Sequence, residues 1–283
     1  MIGRKEYKNQ FRFESLSQTV RYNDIHGKTG TLTSKALSGF YNWGRDIFTG
    51  DNIHVPVLMD LSAFTDLQEI KSEFGNSYII NDIGDLYLWG SNAHGELGFG
   101  HNNPVPTPTF NPDVNNIKKI CFNEDAIYIL KNDGELFVSG DNSYGDITGQ
   151  TFQLVCDNIK DMFIFHNGGF LLSMQDSLFV LGDNTYGQLG VMDGEDSYLI
   201  PTLHSTNNSN IVKIDKSEKH TLLLKRNGLV YSCGYNEYNQ LGYGGDVNGF
   251  EPIPNLFNIR DVSAGDGFSL FLKSYNDSEV LGC

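Results

Sequence analysis

Apolar residues alternate with polar ones in short runs, and turn residues punctuate the runs. The clearest stretch has apolar runs at residues 198–201, 211–214, 221–224 and 229–232, the last two joined by Lys225-Arg226-Asn227-Gly228. Alternation with period two over four to six residues predicts half-buried strands, and the glycine-ended turn predicts a hairpin. The same grammar predicts strands at 67–70, 77–80 and 86–89, again at 117–120, 126–130 and 135–139, and last at 259–263, 268–272 and 279–281. No interval holds a 3.6-residue period, which excludes an alternating strand–helix array. Pro56, Pro106, Pro108, Pro201, Pro252 and Pro254 fall on or beside the last strand of a group. An outer edge tolerates their missing N–H.

Each group ends in one phrase. Gly182-Asp183-Asn184-Thr185-Tyr186-Gly187-Gln188-Leu189-Gly190 is a full copy, and Gly90 to Gly98 and Gly234 to Gly242 are others. Weaker copies start at Gly140 and Gly39. Taking Gly39, Gly90, Gly140, Gly182, Gly234 and Gly282 as anchors gives spacings, by subtraction, of 51, 50, 42, 52 and 48 residues. Repeats of that length made of four short strands predict an all-β propeller of four-stranded blades. Six repeat units are counted over 39–282, with 1–38 a degenerate first unit, all in one domain spanning 1–283. Pairing of residues 1–14 with 278–283 is expected, because an unpaired edge strand is a liability.

The net charge of −15 and pI near 4.7 speak against a sequence-independent hold on nucleic acid, which needs a basic footprint. Four cysteines without CxxC spacing give no zinc signal and suit a reducing compartment, so a cytoplasmic or nuclear location is expected. No apolar run is long enough for a membrane helix, and Met1 to Lys8 lacks the apolar core of a signal peptide.

Candidate chemistry is sparse. No cofactor or metal ligand set and no catalytic grouping can be argued from spacing, so the chain is expected not to be an enzyme. Gly27-Lys28-Thr29 lacks the earlier glycine of a phosphate loop, Tyr22 standing there. The fourth position after each anchor glycine is aromatic or His: Trp43, His94, Tyr144, Tyr186 and Tyr238. These rings either face a ligand or cover the turn of a neighbouring blade, and their recurrence favours covering. Asn92, Asn142, Asn184 and Asn236 read as turn formers. Asp193, Glu195 and Asp196 form an acidic loop that either docks a basic partner or is simply solvated. What recurs builds the scaffold, so specificity is expected in the unshared segments 50–66, 100–116, 191–210 and 244–257. Trp43, His94, Asp193, Glu195 and Asp196 are the candidate partner-binding residues.

The phrase Val230-Tyr231…Gly234-Tyr235-Asn236…Gln240-Leu241-Gly242, with His220-Thr221-Leu222-Leu223-Leu224 and Ser263-Ala264-Gly265, resembles the repeat of the regulator of chromosome condensation family. The resemblance covers about residues 39–282. It implies a β-propeller, usually seven-bladed where six units are counted here, and a protein-interaction scaffold or regulator. Its specific form would be guanine-nucleotide exchange on a Ran-like small GTPase. The β-wedge insert and basic tail of the family's exchange factor have no counterpart here. Only one unit keeps the family's histidine, His220. A monomer with a protein partner is expected, with no direct nucleic-acid binding. The competing reading is a propeller enzyme or protein inhibitor acting through the central face.

Overall fold

The computed structural model describes residues 67–141, 148–204, 210–245, 247–274 and 279–283, together with the backbone of strands at 10–14, 20–23, 29–32, 39–45 and 52–59. Asn142, Tyr144 and the Gly27-Lys28 pair lie outside the described residues, as does the side chain of Trp43. All regular structure among the described residues is β.

The first strands are β1 (Gln10–Glu14), β2 (Val20–Asn23), β3 (Thr29–Leu32), β4 (Gly39–Arg45) and β5 (Asn52–Met59). They make a β1-β4-β5 sheet and a β2-β3 hairpin. Next come β6 (Leu67–Glu73), β7 (Asn76–Asn81), β8 (Leu86–Gly90) and β9 (Val105–Asn111), then β10 (Ile117–Phe122), β11 (Ala126–Lys131), β12 (Leu136–Asp141) and β13 (Thr148–Cys156). After them follow β14 (Ile159–Phe165), β15 (Gly168–Ser173), β16 (Leu178–Asp183) and β17 (Ser197–Leu203). The series ends with β18 (Ile211–Lys216), β19 (His220–Lys225), β20 (Val230–Gly234) and β21 (Val247–Pro252), and with β22 (Ile259–Ala264), β23 (Ser269–Lys273) and β24 (Val280–Gly282). Strands 6–9, 10–13, 14–17 and 18–21 form four antiparallel sheets paired in chain order, and β22–β24 form a sheet of three. Pro106, Pro108, Pro201 and Pro252 lie on the outer strands β9, β17 and β21, where the alternation placed them.

These strands fall into two compact units, residues 1–117 with 149–152, and residues 118–148 with 153–283. In the second unit the strand faces meet in apolar layers. Tyr128, Leu130, Leu136, Val138 and Met162 fill one, and Phe170, Val180, Ile214 and Leu223 another. Leu222, Leu224, Val230 and Phe271 fill a third. The middle strands are buried on both faces, which is why β15 and β19 read as continuous apolar runs.

Register fixes the true repeat frame. In β16 and β20 the pairing with the outer strand slips just before the glycine, between Val180 and Gly182 and between Ser232 and Gly234. The slip falls between Leu88 and Gly90 in β8, and between Asn42 and Gly44 in β4. The first anchor is therefore Gly44, not Gly39, which lies opposite Glu14 at the start of β4. A Cβ on Gly182 would stand 2.3 Å from the Gly168 Cα, with φ at +102°, so the slip admits only glycine.

The last frame also shifts. Cys283 exchanges backbone hydrogen bonds with Ser269, and its Sγ lies 3.5 Å from the Gln240 carbonyl, as that of Cys233 does from Gln188. Cys283 thus takes the place of Cys233, and Gly282 that of Ser232. The anchors Gly44, Gly90, Gly140, Gly182 and Gly234 are, by subtraction, 46, 50, 42 and 52 residues apart. Trp43 then precedes its glycine as Trp89 does, so it sits in a strand and not in the turn. The expected pairing of residues 1–14 with 278–283 falls largely on residues outside those described. β1 pairs with β4, from Gln10↔Trp43 to Glu14↔Gly39, and so fills an edge inside its own unit.

The last three sheets, β14–β17, β18–β21 and β22–β24, are joined by one recurring device. The turn asparagine accepts an amide and returns two donors: Leu189 N to Asn184 Oδ1 at 3.0 Å, and Asn184 Nδ2 to the Glu195 carbonyl at 3.0 Å. Asn236 does the same with Leu241 N and the Gly245 carbonyl, both at 2.8 Å. The turn thus stiffened offers one carbonyl to the next sheet. Thr221 Oγ1 donates to Gln188 O at 2.6 Å, and Ser269 Oγ donates to Gln240 O at 2.7 Å. At the inner strands an ion pair repeats: Lys119–Asp161 at 2.8 Å and Lys213–Asp261 at 2.6 Å, each lysine also capping the carbonyl after its partner. Reading β10, β14, β18 and β22 in turn, the charge at this position alternates Lys119, Asp161, Lys213, Asp261. That order favours each sheet's proper neighbour over a like-charged one.

His220 bolts β19 to β23. It is fully buried, its Nε2 2.9 Å from Ser269 Oγ and its Nδ1 2.7 Å from Ser217 Oγ. Because the Ser269 hydroxyl donates onward to Gln240 O, it accepts from the imidazole, so Nε2 carries the proton and Nδ1 accepts. Burial, with the Lys216 charge second, pushes the imidazole down to about 4.

Two outcomes follow from these contacts. Asn184→Ala strips an acceptor and two donors from buried backbone and is expected to cost about 2–4 kcal/mol in urea unfolding. Asn227→Ala, in an exposed hairpin turn, is expected to cost under about 1 kcal/mol. The unfolded chain takes a proton on His220 near the ordinary value of 6.5, which the folded chain refuses until about 4. Stability should therefore fall as pH drops through that interval, while the imidazole NMR resonances of His220 stay neutral at pH 5.5. Protonation of His220 in the native state at that pH would contradict the assignment.

Candidate protein-binding cleft

Two of the unshared segments meet. Residues 191–196, in the link from the β16 turn to β17, face Val247 and Asn248 at the start of β21 across an open cleft of about 730 Å³. The wall has a local cause. Gly187 has φ +71°, and a Cβ there would lie 2.7 Å from the Asn248 Cα, so the turn seats directly on the next sheet's outer strand. Gly190 meets the Phe250 ring in the same way. Beyond this contact the chain must swing outward before returning as β17, and that excursion is the acidic loop.

The loop is fixed at its base and open at its rim. Asn184 N donates to the Asp196 carbonyl at 2.8 Å, and Asn184 Nδ2 holds that of Glu195. Asp193 accepts from the Tyr198 hydroxyl and from Glu195 N. The Tyr198 hydrogen bond, with the Glu195 amide second, holds the Asp193 carboxyl below its ordinary range. Burial first, then Asp193, raises the Tyr198 phenol. Asp193 is thus used in building the loop. The Glu195 and Asp196 carboxylates are exposed and make no hydrogen bond or ion pair among the described residues. Met192 is 72% exposed and lies over Gly249, where a Cβ would stand 2.9 Å from its sulfur. An exposed thioether beside two free carboxylates offers an apolar contact and a negative rim.

The other candidates lie on separate elements. His94 is exposed in the turn after β8, where its amide donates to Glu96 Oε2 at 2.7 Å just as Tyr186 N donates to Gln188 Oε1 at 2.8 Å. Trp43 lies in β4. The turn tyrosines lean on the next sheet: Tyr186 meets Tyr235 edge to face at 5.6 Å, and the Tyr238 ring covers Gly267. No group of three or more His, Cys, Asp or Glu among the described residues is placed to hold a metal ion.

Sequence reasoning missed two lysines. Lys216 is buried, bonded through Nζ to Asn167 Oδ1 and to the Ser217 carbonyl at 3.1 Å. Burial pushes it down to about 8, against the pull of Asp183 and Glu218. It ties β18 to the β14–β15 hairpin, where Asn167 also holds Asp183 at 3.0 Å. Lys219 stands over Tyr186 and Tyr235. The signal for the first was a charge at the inward end of a strand whose counterpart, β22, ends in Ala264.

Comparison with known proteins agrees with this repeat architecture. The family model for the regulator of chromosome condensation (RCC1) repeat matches residues 84–122, 175–224 and 227–272, and a second model of the same repeat matches 211–240. The chain is 26% identical over 264 residues to the Ultraviolet-B receptor UVR8 of Arabidopsis thaliana, covering 86% of this chain and 60% of that protein. It is 27% identical over 124 residues to the mouse secretion-regulating guanine nucleotide exchange factor, covering 41% of this chain and 27% of that one. The crystal structure of Prp20p from Saccharomyces cerevisiae, described with its binding properties to Gsp1p and histones, is similar in fold. The TM-score is 0.67 at 20% identity, over 86% of this chain and 67% of that one. The chain spans less than two thirds of the length of both curated relatives. Its four-stranded sheets, glycine turns and carbonyl joints are those of a β-propeller, and the matched residues carry the RCC1 repeat.

Proposed function

We propose that this chain is a non-catalytic propeller that regulates by binding another protein, and that the 191–196 loop with its cleft is part of the contact. One observation carries the reading. The recurring turn residues are engaged in joining sheets, whereas Met192, Glu195 and Asp196 belong to a segment without a counterpart and are presented on a rigid base. Guanine-nucleotide exchange on a Ran-like small GTPase is the specific form. The names of the mouse relative and of the yeast neighbour support it, since one is an exchange factor and the other is described binding Gsp1p. Exchange requires holding a GTPase, not a covalent step, which suits a surface of exposed carboxylates and thioether.

The test loads Ran and a panel of related GTPases with a fluorescent guanine nucleotide and follows its release. At least a tenfold acceleration on one member is expected, cut about tenfold or more by Glu195→Lys with Asp196→Lys while cooperative unfolding is unchanged. Acceleration indifferent to these changes would place the contact elsewhere. No acceleration across the panel would remove the exchange reading.

A further inference from the structure

Most of the described lysines are paired with an oxygen. Lys71, Lys119, Lys131, Lys160, Lys213 and Lys273 each meet a carboxylate, and Lys118 caps a carbonyl. Lys219 does neither, and nor does Lys225, whose ammonium lies 4.5 Å from the centre of the single Tyr231 ring. The Lys219 ammonium sits 5.1 Å from the centre of the Tyr186 ring and 5.4 Å from that of Tyr235, and these rings are its only partners among the described residues. They meet edge to face at 5.6 Å, and Tyr186 is 37% exposed. Two rings converging on one cation form a cation seat.

The seat is built from exceptions set on a shared turn. By strand register, Tyr235 follows its anchor glycine where the β16 turn has Asp183 and the β8 turn has Ser91. Lys219 precedes the residue paired with that glycine, His220↔Gly234, as Asn167 precedes Gly168↔Gly182. In the next sheet the corresponding place is Gly267, and the Tyr238 ring leans on backbone there instead. Neither Tyr235 nor Lys219 is needed for the joint, which runs through the Gln188 carbonyl.

The surroundings are anionic. The Tyr235 hydroxyl donates to Glu237, exposed Glu218 adjoins Lys219, and Asp183 lies at the base of the turn that carries Tyr186. Thr185 and Gly187, on either side of Tyr186, line the cleft whose rim bears Glu195 and Asp196. With the whole chain at −15, the local field draws a second cation in and repels an anion.

We propose that Tyr186 and Tyr235 form a recognition seat for a lysine or arginine side chain of a basic segment of a protein partner, and that Lys219 fills this seat in the unbound protein. Lys219 is an internal competitor held by ring contact alone, so an incoming basic side chain displaces it without breaking a salt bridge. The guanidinium or ammonium then lies against the rings, with Glu218, Glu237 and the cleft rim around it. The proposal rests on the reading of the chain as a protein-binding module but not on nucleotide exchange, and its test contains no GTPase.

The test is fluorescence anisotropy with a labelled eight-residue peptide alternating Gly and Arg, and a Gly/Glu peptide of the same length, titrated with the full chain. The Arg peptide should bind the wild type, and Lys219→Ala should bind it about two- to fivefold more tightly, the equivalent of an exposed cation–π contact. Lys71→Ala removes the same charge elsewhere and should change affinity less than 1.5-fold. Tyr186→Leu and Tyr235→Leu should weaken binding about tenfold, and Tyr235→Phe, which keeps the ring, should stay within twofold of wild type. Retained urea cooperativity separates lost recognition from lost folding. Binding of the Arg peptide by neither wild type nor Lys219→Ala would overturn the proposal, as would weaker binding by Lys219→Ala. Lys219-dependent capture of the Glu peptide would also overturn it and make the ammonium a docking group for acids.

Discussion

The last three sheets, β14–β17, β18–β21 and β22–β24, are held in series by a carbonyl pointing out of a turn. Gln188 O and Gln240 O each accept the hydroxyl of a residue in the next sheet's second strand, at 2.6 and 2.7 Å. Each carbonyl is aimed only because an asparagine four residues before it pins the turn from inside, and because glycine lets that turn touch the neighbouring strand. Without the asparagine, three backbone groups lose partners at once, and a buried unpaired group costs more than a made bond gains. Apolar layers supply most of the burial between sheets, but they are non-directional. The turn and the alternating Lys119, Asp161, Lys213, Asp261 position set which sheet meets which, and at what height.

This division of labour explains where function can lie. A residue that aims the joint is not free to recognise a partner, and Asn184, Gln188, Asn236 and Gln240 are committed in that way. The excursion at 191–196 is a by-product of the joint, since a chain leaving a turn pressed onto its neighbour has to go around it. Its acids are consequently rigid at the base and unpaired at the tip. The Tyr186–Tyr235–Lys219 cluster arises likewise. The joint brings the aromatic of one turn over the loop of the next sheet, and the residue in that loop decides whether the ring covers backbone, as at Gly267, or holds an ammonium.

Much of the fold was legible because alternation, turn glycines and edge prolines are local signals. Strands β6–β8, β10–β12, β17–β20 and β22–β24 lie where the apolar runs placed them, and Asn92, Asn184 and Asn236 do bond the turn backbone. The frame was misread at both ends for a specific reason. Glycine marks the register slip at Gly44 and Gly182, but Gly39 begins a strand and Gly282 takes the place of a serine, and composition alone does not separate these uses. Trp43 would have given the frame, since it precedes Gly44 as Trp89 precedes Gly90. Of the candidate site, the acidic loop was legible as a segment without a copy. The Lys219 seat was not, because it joins residues 33 and 16 positions apart, counting from Lys219 to Tyr186 and to Tyr235. No periodicity reports which loop a neighbouring turn will cover.

The turn asparagines and their carbonyl joints build the molecule, and the proposed contact falls on the residues those joints leave over. Hydrogen–deuterium exchange of the full chain, with and without the saturating basic peptide, separates the two directly. Added protection is expected in 191–196, 217–219 and 235–237 on binding, with the amides of Leu189 and Leu241 already slow and unchanged. Protection gathered on the outer strands, with these three segments unaltered, would contradict it.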